Sequence, residues 1–192
     1  MKKLLTLCAM LAVVLTSCAQ QKAKTAARKA SSEVLVAYFS ATGTTEGVAR
    51  AIASGIGAPL FRITPLRPYS EADLDWRNDK SRSSLEAADR SARPAMKTLV
   101  RSVGKYRIVF LGYPIWWNEA PRIINTFVEK EGLKGVTVIP FATSGGSGID
   151  YSVRQLKAAY PAVGWREGRL LNAETDKEIQ AWAKQALAAA KK

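Results

Sequence analysis

The chain has 192 residues, 47% of them hydrophobic and 23% charged, with 13 Gly and 8 Pro, the balance of one ordinary globular domain rather than of a disordered or collagen-like chain. Lys and Arg number 29 against 16 Asp and Glu, a formal charge of +13, and histidine is absent, which excludes a Ser-His-Asp triad, a Cys-His pair and a His-ligated zinc. Both cysteines, Cys8 and Cys18, fall in the first eighteen residues, so a disulfide framework and a cysteine-rich metal site are excluded as well.

The N-terminus reads Met1-Lys2-Lys3, an apolar run from Leu4 to Leu15, then Thr16-Ser17-Cys18. This is the basic, apolar and small-residue order of a secretory signal over residues 1–17. The run is shorter than the roughly 20 residues that span a bilayer. Leu15-Thr16-Ser17-Cys18 resembles the bacterial lipobox, which implies that Cys18 carries lipid, begins the mature chain and holds it at a membrane of the cell envelope, facing the periplasm or exterior. Residues 18–33, rich in Ala, Lys, Gln and Ser, cannot bury enough apolar surface to fold and form a tether. Without these segments, 23 basic and 15 acidic residues remain on 34–192, a charge of +8.

Beyond the tether, two hydrophobic periodicities alternate. Val34 to Phe39 is continuously apolar, as expected of a parallel strand covered on both faces. Ser40-Ala41-Thr42-Gly43-Thr44-Thr45 follows, and then Val48, Ile52 and Ile56 at helical spacing. Leu60 to Ile63 is a second strand. Thr64 to Lys105 fits the rhythm least well: Ser70 to Arg90 reads as a polar helix, either over the sheet edge or as a partly ordered cover. Arg107 to Tyr113 is a third strand. After Pro121, Ile123, Ile124, Phe127 and Val128 make a helical stripe. Val136 to Ala142 is a fourth strand, followed by a Gly/Ser loop and a helix carrying Ile149, Val153, Leu156 and Tyr160. Trp165 to Leu171 is a weaker fifth strand, and Ile179, Trp182, Ala183, Ala186 and Leu187 mark a last helix. The alternation predicts an α/β fold with a parallel sheet, right-handed crossovers and helices on both faces.

In such folds ligands sit beyond the carboxyl ends of the strands, which selects three loops. Residues 40–45 offer four hydroxyls and a glycine at a helix N-terminus, where free N–H groups and the helix dipole favour an anion. That loop lacks the lysine of a nucleotide-triphosphate loop and the Gly-x-Gly-x-x-Gly of a dinucleotide loop, so it suits a single phosphate held by neutral donors; the alternative is a capped helix start with no ligand. Pro114-Ile115-Trp116-Trp117-Asn118 carries adjacent tryptophans that leave the strand in different directions, one of them available as a platform for a flat ligand; taken singly, core packing is the alternative use of each. Thr143-Ser144-Gly145-Gly146-Ser147-Gly148 lets backbone N–H groups approach a ligand closely.

These three loops together resemble the flavodoxin family. Ser40 to Thr45 looks like its phosphate loop, and Gly112 to Trp117 with Thr143 to Gly148 resemble the two isoalloxazine loops of a bacterial flavodoxin-like branch. The resemblance implies a three-layer sandwich with a five-stranded parallel sheet in the order 2-1-3-4-5 and FMN as cofactor. Ser40, Thr42, Gly43, Thr44 and Thr45 would hold the phosphate. Pro114, Ile115, Trp116, Trp117 and Asn118 would border the ring on one side, and Thr143, Ser144, Gly145, Gly146, Ser147 and Gly148 would meet its pyrimidine edge. Asn118 stands where the family turns a backbone carbonyl toward the reduced flavin. Thr44 stands where Asn is common. The third loop lacks the aromatic that often stacks on the outer ring face, so the ring is either more open or covered by residues 64–105. Flavodoxins are usually acidic and this domain is basic, which sets it apart in its choice of protein partner. The expected function is electron transfer to redox partner proteins or small acceptors. The alternatives are an FMN-dependent NAD(P)H:quinone or small-molecule reductase and a binding module without cofactor. Neither metal nor nucleic acid is expected as a partner; the basic residues read as a solvated face.

Overall fold

The computed structural model describes residues 33–101 and 103–192; the signal, Cys18 and most of the tether lie outside the described residues. Along β1 (Val34–Tyr38) every residue is buried. Leu35 and Ala37 face one side of a sheet, Val34, Val36 and Tyr38 the other, which is why the strand reads as an unbroken apolar run. α1 (Thr44–Ile56) follows and ends at Gly57, whose φ of 65° is the left-handed cap that glycine adopts freely. Next come β2 (Leu60–Arg62), α2 (Arg82–Ala88), β3 (Ile108–Pro114), α3 (Arg122–Lys130), β4 (Thr137–Thr143), α4 (Asp150–Ala159), β5 (Gly164–Trp165), β6 (Arg169–Leu170) and α5 (Asp176–Ala190).

The strands pair in parallel in the order β2-β1-β3-β4-β5, with β6 also on β4. Helices cover both faces. Val48, Ile52, Ile179 and Ala183, on α1 and α5, close one core with Val36 and Phe110. Ile123, Phe127, Val153 and Leu156, on α3 and α4, close the other with Leu111 and Tyr113. This is the α/β fold that the alternation predicts, in the strand order that the flavodoxin resemblance implies.

Two details differ. The single fifth strand is split: β4 advances three residues between the Val138–Trp165 and Phe141–Arg169 pairs while its partner advances four, leaving one residue too many, as in a bulge. The cause is Pro140. Val138 O and Ala142 O accept from Arg166 N and Leu171 N, so position 140 also faces this edge, and proline has no N–H to give it.

The second difference is the predicted helix over 70–90. It forms only over Arg82–Ala88, preceded by a 3₁₀ turn at Ala72–Leu74. Asp73 accepts from Ser70 N, Asp75 from Arg77 N and Asn78 Oδ1 from Lys80 N. These short side chains offer the backbone local turns in place of a helix. The whole excursion is closed at its base by an antiparallel bridge between Pro65 and Met96, so residues 64–97 form a strap.

Candidate functional site

The loops after β1, β3 and β4 stand side by side because those strands are neighbours in the sheet. Phe39 N–H donates to Gly112 O at 2.9 Å and Ile115 N–H to Thr143 O at 2.9 Å, tying each loop root to the next strand. Together with the strap they enclose a cleft of about 920 Å³, within the 300–1,000 Å³ typical of small-molecule sites. Thirteen of the sixteen expected cofactor residues line it; Gly43, Asn118 and Gly148 stand outside the lining.

In the first loop, Ser40 is buried and its Oγ accepts from Gly43 N at 3.0 Å. Gly43 is the N-cap of α1 at φ 97°, and no side chain caps the helix. The first-turn N–H groups are therefore unsatisfied by side chains, as an anion would require. Thr42 and Thr44 hydroxyls are exposed and 3.5 Å apart. The Thr45 hydroxyl is buried and bonded to Thr143 Oγ1 at 2.8 Å, so it braces the first loop against the third.

The second loop is a reverse turn. Trp116 N–H donates to Glu119 O at 3.0 Å, Glu119 N–H returns to Trp116 O at 2.9 Å, and Trp117 and Asn118 between them have φ of 48° and 62°. Two left-handed residues inside a two-residue connection make a type I′ turn, a geometry that favours Asn and Gly. A tryptophan there costs about 1–2 kcal/mol of backbone strain. The adjacent tryptophans divide their tasks: Trp116 sits edge-on to Phe39 and Tyr69, with ring centroids 5.5 and 5.2 Å away, while Trp117 remains 43% exposed on the cleft. Buried Arg122 fastens this turn to the strap, pairing with Glu119 at 2.8 Å and donating to the Ala87 carbonyl at 2.8 Å, at the end of α2.

The third loop folds around Ser144, whose Oγ accepts from Gly146 N at 3.1 Å and Ser147 N at 2.8 Å. Asn172, just after β6, clamps it from behind: its Oδ1 accepts from Ser144 N and its Nδ2 donates to Ser144 O, both at 2.8 Å. Asn172 also lines the cleft. So do Leu74, Trp76 and Ser83 from the strap, Trp76 being 72% exposed. None of these four was legible as a site residue, because each reaches the cleft by a long-range approach with no local spacing signal. Trp76 thus brings an exposed aromatic ring to the cleft from the strap.

None of the described residues lining the cleft is ionisable. Nearby Tyr69 donates to Glu86 Oε2; burial and that carboxylate push its pKa up, so it stays a neutral phenol. Among the described residues, the cleft therefore presents hydroxyls, backbone groups and aromatic faces, with no acid or base in its lining.

Comparison with known proteins bears on the family and the fold. A family model described as flavodoxin matches residues 33–186. A crystal structure of a candidate flavoprotein from Bacteroides eggerthii is 54% identical, with a TM-score of 0.77 over 81% of this chain and 98% of its own. One from Bacteroides uniformis is 46% identical, with a TM-score of 0.77 over 79% and 97%. A flavoprotein from Lactobacillus acidophilus in complex with FMN shares the fold at 21% identity, with a TM-score of 0.58 over 79% and 99%. No curated protein matches the chain.

Proposed function

This chain belongs to the flavodoxin family, and on that premise we propose that it binds FMN in the three-loop cleft and serves as an exported, membrane-tethered electron carrier. The observation that carries the reading is a cleft without an ionisable group, set between an uncapped helix N-terminus and two tryptophans. FMN, when bound, supplies the electron-accepting and electron-donating chemistry. The protein's part is to hold and shield. The first-turn amides of α1 with the Thr42 and Thr44 hydroxyls take the phosphate; Trp116, Trp117 and Trp76 give the flat ring apolar walls; the backbone N–H groups of the Ser144 loop serve its polar edge. The Cys18 anchor and the tether of residues 18–33 would keep the domain near a membrane.

Titrating the purified domain with FMN, riboflavin and FAD, followed by absorbance and calorimetry, tests the reading. FMN should bind most tightly. Riboflavin binding as well as FMN would remove the phosphate role from the first loop, and no binding at all would favour a module without cofactor. A second reading, an FMN-dependent reductase of quinones or other flat molecules, draws on the exposure of Trp76 and Trp117 at the cleft mouth. Steady nicotinamide-driven turnover of a quinone, in the range of about 1–10³ s⁻¹, would favour it. A carrier would oxidise NADH or NADPH only slowly by itself.

A further inference from the structure

The phosphate loop contains no basic residue, yet a cation stands directly behind it. The β1–β2 register pairs Tyr38 with Arg62, which brings Arg62 beside the end of β1, two residues before the loop begins at Ser40. From there Arg62 Nη2 donates to the Ser40 carbonyl at 3.4 Å, and Nη1 lies 3.2 Å from Glu46 Oε2. Glu46 is the acidic residue in the first turn of α1. It suits the helix dipole but opposes an anion arriving at the same helix end.

Glu46 is also held by Arg50, whose Nε donates to Oε1 at 3.0 Å. Two guanidinium groups thus face one carboxylate, a local charge of +1. Arg50 sits one turn along the helix from Glu46, and Arg62 is the member in contact with the loop itself. Its side chain is half exposed, so it is free to shift from Glu46 toward a stronger anion.

We propose that Arg62 is the counter-charge of the phosphate site, a specificity-determining residue that makes the cleft prefer a phosphorylated flavin, in its dianionic form, over the same flavin without phosphate. This rests on the FMN reading, and it assigns to β2 a role that the loop sequence does not carry. An arginine behind the loop acts through charge, and its contact with the Ser40 carbonyl sets where that charge stands. It selects by charge without enclosing the phosphate, which leaves the neutral hydroxyls and amides to set the geometry.

The test compares wild type, Arg62→Met and Arg62→Lys in full-chain protein. FMN and riboflavin affinities are measured by fluorescence quenching, inorganic phosphate binding by ³¹P NMR, and unliganded melting is recorded as a control. Arg62→Met is expected to weaken FMN and phosphate about tenfold, or about 1.4 kcal/mol, to leave riboflavin and the unliganded melt unchanged, and to raise the second pKa of the bound phosphate relative to wild type. Arg62→Lys should keep most of the preference. Equal losses for FMN and riboflavin would make Arg62 a brace of the loop and overturn the proposal, as would a lysine variant no better than methionine. Wild-type protein that binds phosphate but neither flavin would refute the FMN reading and leave the cation site standing; protein that binds none of the three would end both.

Discussion

Gly43→Ala isolates the conformational demand of the phosphate loop. At φ 97° the residue lies where side chains with a Cβ are rarely found, yet a Cβ placed there meets no atom within 4 Å. The substitution therefore costs backbone strain alone, about 1–2 kcal/mol, less the roughly 0.4–1 kcal/mol by which alanine stiffens the unfolded chain. A net loss of about 1 kcal/mol lowers the melting temperature of a domain this size by about 2–4 °C. The effect on binding should be larger. To relieve the strain the loop must rotate, which breaks the Gly43 N–Ser40 Oγ bond of 3.0 Å and turns the first-turn amides away from the anion. FMN affinity should fall at least tenfold while riboflavin changes little, read by melting curves and parallel titrations. An unchanged melt would refute the strain argument; a lowered melt with unchanged FMN affinity would refute the placement of the phosphate at this helix end. Gly112→Ala is the contrasting control, because its Cβ would overlap the Phe141 ring and force a core shift costing about 1–3 kcal/mol or more.

Four further outcomes are expected. Asn172→Ala removes both bonds to Ser144 and should weaken flavin binding about tenfold with little change in melting, checked by the same titrations. Glu131 is buried and its Oε1 accepts from Val100 N at 2.7 Å; burial raises its pKa above the ordinary 4.5, so its contribution to stability is full below that value and lost as pH rises through the folded pKa. Glu131→Gln keeps the acceptor without the charge and should be more stable than wild type in urea at pH 7, with the difference gone near pH 3.5. Each Lys or Arg about 10 Å from the flavin favours added negative charge by roughly 1.7 kcal/mol at an effective dielectric of 20, so the second one-electron potential should be less negative than in acidic relatives and should drift more negative as salt screens it; titrations at two salt concentrations decide this. Cys18→Ser should move the protein from the membrane to the soluble fraction, and persistent membrane association would shift the anchor to the basic surface.

The parts of the molecule that were legible in the sequence share one property: their signal is local. The apolar run of Val34 to Phe39, the helical spacing of Val48, Ile52 and Ile56, and the hydroxyl, tryptophan and glycine loops each declare themselves within a dozen residues, while the strand order that brings the loops together comes from the family resemblance. What was missed depends on groups that meet across the fold. Pro140 reads as an ordinary strand residue until its absent N–H is seen to face the next strand. Arg62, Trp76 and Asn172 lie far in sequence from the loops they serve. The strap reads as one polar helix over 70–90, whereas Ser70, Asp75 and Asn78 bend the backbone locally before a helix can start.

The interrupted edge has a consequence for how copies of this protein meet. A sheet margin invites another chain's strand in proportion to its unbroken run of free N–H and C=O groups. Here one margin is β2, three residues long, and the other is two two-residue pieces set out of step by an extra residue. Neither provides the five or six consecutive positions over which strands ordinarily pair. Pro140 thus withholds a docking rail from neighbouring molecules, and replacing it with valine would restore the missing donor and, with it, a longer seam along which crowded copies could stick.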